Sequence, residues 1–63
     1  AYIHGDLLYI RTVRAERIEI YALNGAKVYE GTVPAGTTTL PADRLPKGVL
    51  IVRGSGWTGK VVR

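Results

Sequence analysis

Apolar and polar positions alternate with a period of two through much of this chain, and turn-forming residues interrupt the alternation every few positions. The clearest run is Arg17 to Leu23, with Ile18, Ile20 and Ala22 on one face and Arg17, Glu19 and Tyr21 on the other. A period of two marks a half-buried strand, because successive side chains leave opposite faces of the pleat. Asn24-Gly25 follows at once. That dipeptide accepts positive φ at both central positions of a type I′ turn, so it predicts a tight hairpin. Lys27 to Val33 is then the returning strand, with Val28 and Glu30 on one face and Lys27, Tyr29 and Val33 on the other.

The same signals divide the rest of the chain. Leu7 to Ile10 reads as a short apolar strand after a Gly5-Asp6 turn. Pro34 and Gly36 break the pairing, and the β-branched stretch Thr37 to Leu40 predicts an edge strand. Pro41 to Gly48 is a polar loop with an apolar plug at Leu45; Pro41 and Pro46 exclude a central strand there. Val49 to Arg53 is nearly continuous in apolar residues and predicts the most buried strand. Gly54-Ser55-Gly56 is a flexible turn, and Trp57 to Arg63 is a closing strand that pairs back. Glycine and proline punctuate the chain too often for a helix. The sum is one all-β domain over residues 1–63, with about six to seven short strands spaced as in a β-sandwich or small barrel.

Size and charge narrow the function. A chain of 63 residues has a thin core, rarely supplying more than roughly 3–5 kcal/mol. It has no cysteine, so neither a disulfide nor a thiolate metal site supports it. The net charge is +4, which favours acidic partners, but the nine basic residues are scattered and form no polybasic run. That pattern reads as a solvated surface with a mild positive bias. No apolar stretch approaches the ~18 residues of a membrane helix. Ala1 is no start methionine and no signal peptide is recognisable, so the chain is expected to be a piece of a longer protein, with any export signal upstream.

Catalysis finds no foothold. His4 is the single histidine, and with no cysteine it cannot complete a metal set. The carboxylates Asp6, Glu16, Glu19, Glu30 and Asp43 include no recognisable acid–base pair; Glu19 and Glu30 are expected on neighbouring strands, neutralised by Arg17 and Lys27. Ser55 lies in Gly54-Ser55-Gly56, which lacks both the Gly-x-Ser-x-Gly spacing and the strand-to-helix turn of a nucleophile elbow. No enzyme, cofactor or metal is expected. Tyr21 and Tyr29 could meet across the hairpin on the face carrying Arg17 and Lys27, a conceivable base-stacking platform. Trp57, flanked by Gly56 and Gly59, either caps an open end of the sandwich or serves as a partner anchor.

Four motifs stand in order: Asp6-Leu7-Leu8-Tyr9-Ile10; Ile20-Tyr21-Ala22-Leu23-Asn24-Gly25-Ala26-Lys27-Val28-Tyr29; Leu45-Pro46-Lys47-Gly48-Val49-Leu50-Ile51-Val52; and Gly59-Lys60-Val61-Val62-Arg63. In this order and spacing, across essentially the whole chain, the sequence resembles the C-terminal sorting domain of type IX secretion system cargo from Bacteroidetes. Members usually carry an aromatic where Leu50 stands, and often an Asn-Pro element ahead of the first strand, which is absent here.

The resemblance implies an immunoglobulin-like sandwich that addresses an upstream cargo domain to an outer-membrane translocon and its shuttle proteins. In many members a surface sortase then removes the domain. It also implies passage through the periplasm to the outer membrane, cell surface or medium. The signal is expected in the closing hairpin, on Gly48, Val49, Ile51, Val52, Gly59, Lys60, Val61, Val62 and Arg63. Open strand edges could add to another sheet, including that of a second copy in a homodimer. The alternatives are a small basic barrel binding single-stranded nucleic acid, though the scattered charge argues against nucleic acid, and an immunoglobulin-like adhesive or spacer module.

Overall fold

The computed structural model describes all 63 residues. It contains seven strands: β1 (Tyr2–His4), β2 (Leu7–Thr12), β3 (Glu16–Ala22), β4 (Lys27–Val33), β5 (Gly36–Pro41), β6 (Val49–Gly54) and β7 (Trp57–Val62). They form two antiparallel sheets, ordered β1-β2-β5 and β4-β3-β6-β7. The chain is therefore an all-β sandwich. Its order is that of an immunoglobulin-like domain whose fourth strand has joined the sheet of the third.

Alternation builds the core. Leu8 and Ile10 of β2, Ile18 and Ile20 of β3, Val33 of β4, Leu50 and Val52 of β6, and Val61 of β7 point between the sheets. Leu45 plugs the loop after β5 as expected, beside a short 3₁₀ turn at Ala42–Arg44 whose Ala42 is also buried. The expectation for Val49 to Arg53 holds for alternate residues: Leu50 and Val52 are fully buried, whereas Val49 and Ile51 face outward and are half-buried. A strand covered on one face only needs apolar residues at every second position.

Three further differences have local causes. β1 was not among the predicted strands. It pairs with β2 through the two-residue Gly5-Asp6 loop, where Gly5 takes φ +61°, the signature of a type II′ turn. The β3–β4 connection is not type I′, because Asn24 keeps a negative φ and only Gly25, at +93°, is left-handed. The Gly25 amide donates to Ala22 O at 2.9 Å, the Ala22 amide to Ala26 O at 2.8 Å, and the Asn24 side chain accepts from the Ala26 amide at 3.0 Å. This is the longer hairpin loop that places glycine in the left-handed position.

The third difference is a β-bulge. Ile20 pairs with Tyr29 but Tyr21 pairs with Lys27, so Val28 is the extra residue. The bulge shifts the expected faces by one. Lys27 joins Glu30 on the outer face, while Tyr29 turns inward with Val33 and packs, like Val28, against the core. The Tyr29 ring lies over Gly31, where an added Cβ would come within 2.9 Å of its hydroxyl oxygen.

Candidate functional site

The closing hairpin β6–β7 carries every residue expected to be recognised, and the sheet sorts them into two sets. Val49 pairs with Val62, Leu50 with Val61, Ile51 with Lys60 and Val52 with Gly59. Val52 and Val61 point into the core with Leu50 and are structural, while Gly59 shares their face without joining the core. Val49, Ile51, Lys60 and Val62 lie on the outer face, with Val62 65% exposed. Tyr21 joins them from β3, directly opposite Ile51. The outer face thus carries an apolar group beside the Lys27 and Lys60 ammonium groups.

The chain end is fastened on one side only. Gly48 and Arg63 exchange both main-chain hydrogen bonds, at 3.1 and 2.9 Å, and the Arg63 guanidinium donates to Leu45 O at 3.0 Å. In an antiparallel ladder, mutually bonded pairs alternate with non-bonded ones. The main-chain groups of Trp57, Gly59, Val61 and Arg63 therefore turn to β6. Those of Thr58, Lys60 and Val62 turn away from it, toward an edge that no strand bonds, although β1 of the other sheet passes close to β7.

Trp57 is half-buried, packs against the core and is held in place. Its indole N–H donates to Glu16 Oε1 at 2.6 Å, and the Ser55 amide donates to the same oxygen at 2.9 Å. The ring covers Gly54, where a Cβ would lie 2.1 Å from an indole carbon. Trp57 thus caps the sandwich end beside the β6–β7 turn, and its polar edge is engaged by its own chain. Glu16 lies 41 positions earlier in the sequence, and only the fold brings the pair together.

On the opposite edge strand the charges are paired. Glu19 and Glu30 face each other across β3 and β4, a like-charge pair. Arg17 bonds Glu30, and the Lys27 ammonium sits 3.2 Å from Glu19 and 3.4 Å from Glu30, as the sequence leads one to expect. The Lys27 contact holds the Glu19 carboxyl below its ordinary value, with smaller help from the Tyr21 hydroxyl and the charges of Lys27 and Arg17.

The conceivable tyrosine platform on this face does not form, because the bulge sends Tyr29 inward and leaves Tyr21 alone with Arg17 and Lys27. The stacked aromatic pair is instead Tyr2 and Tyr9, with ring centroids 4.9 Å apart on the other sheet. No cluster of His, Cys, Asp and Glu suited to a metal ion is formed. No family model matches the chain, and no curated protein or solved structure is detectably similar to it.

Proposed function

We propose that this chain is a non-catalytic address: a C-terminal sorting domain that directs an upstream cargo through the type IX outer-membrane translocon. The observation that carries this reading is the unbulged outer edge of β7, to which no strand is bonded, flanked by the outward side chains of Lys60 and Val62. An unpaired edge recognises a partner by adding it as a further strand, with main-chain bonds giving affinity and alternate side chains giving selectivity. The ordered motifs that resemble the sorting family, and the sandwich they belong to, support the same reading. Recognition would fall on Thr58, Lys60 and Val62 rather than on Val52 and Val61, which are buried in the core.

The test is a periplasmically exported reporter fused ahead of this chain in a type IX-competent bacterium. Deleting Gly59 to Arg63 should trap the reporter in the periplasm. That deletion also removes Val61 from the core, so Lys60→Pro is the sharper variant. The Lys60 amide faces away from β6, and proline there removes an outward donor but no bond of the ladder. A folded Lys60→Pro fusion should stay in the periplasm; its arrival at the cell surface at normal levels would refute the edge-recognition reading.

A further inference from the structure

At the sandwich end opposite the chain terminus, the fold brings Arg53 beside Arg14 and Arg17, with Arg11 in the next groove. Arg14, Arg17 and Arg53 line an open cleft of about 540 Å³, between the β2–β3 connection and the β6–β7 turn. Arg11 and Arg14 line an adjoining groove of about 230 Å³. Six of the eight residues lining the cleft carry charged or hydroxyl side chains; the other two are Ala15 and Gly54. Arg11, Arg14 and Arg53 form no ion pair; of the four, only Arg17 has a carboxylate partner, Glu30.

The two carboxylates in the cleft are already committed. Glu16 Oε1 accepts from both the Trp57 indole and the Ser55 amide. Glu19 is drawn toward Lys27 at 3.2 Å. Gly54 keeps the floor low, since a Cβ there would come within 2.4 Å of the Glu16 carboxylate. The result is a recess where three guanidinium groups stand among two carboxylates already held by other donors of the chain, and Arg14 and Arg53 keep no ion-pair partner.

We propose that this cleft binds a phosphate or sulfate ester carried by a hydrated ligand such as a sugar. A guanidinium presents a planar fork of donors that matches tetrahedral oxyanions two bonds at a time, and it remains charged at any physiological pH. Five of the eight lining residues are charged, which favours a charged, hydrated ligand over an apolar one. The site lies away from the β7 terminus and stands whether or not the chain is a sorting domain.

The experiment is an amide-resolved NMR titration of the whole chain with glucose 6-phosphate, with glucose as the control. The account predicts saturable shifts centred on Arg14 to Arg17 and Arg53 to Ser55 with the phosphate ester and none with glucose. Arg53→Ala and Arg14→Ala should each weaken binding about tenfold or more, the range of a lost charge-assisted hydrogen bond. Arg53→Lys should recover part of that loss, and Lys60→Ala should have no effect. The spectra themselves report whether each variant is folded, and both arginines are exposed, so the core is untouched. A single-stranded oligonucleotide and phosphatidylglycerol vesicles identify the source of the anion: tighter binding of either through Arg14 and Arg53 keeps the site and assigns it. Shifts spread evenly over all basic residues without saturation, or full affinity in the Arg14→Ala/Arg53→Ala double variant, would overturn it.

Discussion

The two edges of the four-stranded sheet are built in opposite ways. β4 carries a bulge at Val28, and its outer face presents Lys27 and Glu30 locked into ion pairs with β3. β7 runs in unbroken register along β6 and presents one charged side chain, Lys60, between Thr58 and Val62. Bulges and charges are the ordinary means of stopping a sheet edge from accepting another strand. One edge is blocked and the other has no bonded neighbour. The contrast separates an edge that completes the domain from an edge available to a partner.

That contrast can be broken at several points. The largest effect should come from Ile20→Ala, which opens a void where β3 serves both halves of the sheet, fully buried opposite Tyr29 and Val52. A loss of about 2–5 kcal/mol matches or exceeds what so small a core supplies, so circular dichroism should show an unfolded chain at room temperature. Gly54→Ala should rank next. Its methyl group would collide with the Trp57 ring and Glu16, and overpacking of this kind costs about 1–3 kcal/mol, measurable as a lower urea midpoint. Trp57→Phe keeps the ring but leaves Glu16 short of a donor; a loss of about 1 kcal/mol should appear in the same assay.

Deleting Val28 removes the bulge and gives β4 an even register. Sedimentation should then show more self-association than the parent chain, whereas Val62→Lys on β7 should show less. The smallest effect concerns acid. Glu19 is held below its ordinary value chiefly by Lys27, so its contribution to stability is complete above the unfolded value and is lost as pH falls through the folded one. Melting temperature should therefore drop as pH falls below about 4, and Lys27→Ala should flatten that part of the curve.

Much of this architecture was legible in the chain, and the failures share a cause. The alternation of Ile18, Ile20 and Ala22 marked β3, and the Asn24-Gly25 dipeptide marked its hairpin, because period and turn chemistry are local. β1 is only three residues long, too short for a visible alternation. The Gly5-Asp6 loop ahead of Leu7 was the available signal for it. The Val28 bulge has no composition of its own, so Lys27 and Tyr29 read as sharing a face, whereas only Lys27 stays on the outer one. Long-range pairs were beyond reach: Glu16 meets Trp57, and Arg14 comes to line a cleft with Arg53, only after the sheets close. Basic residues that look scattered along the sequence become a cluster by topology. The expected recognition set mixed core with surface because Val49 to Val52 reads as one apolar run until its register is known.

Amide hydrogen exchange along β7 in the intact chain tests the open edge most directly. The account predicts alternation, with Lys60 and Val62 exchanging fast and Gly59, Val61 and Arg63 slow, because only the latter donate to β6. Equal protection of Lys60 and Val61 would mean that the outer edge is already paired, and would contradict the account.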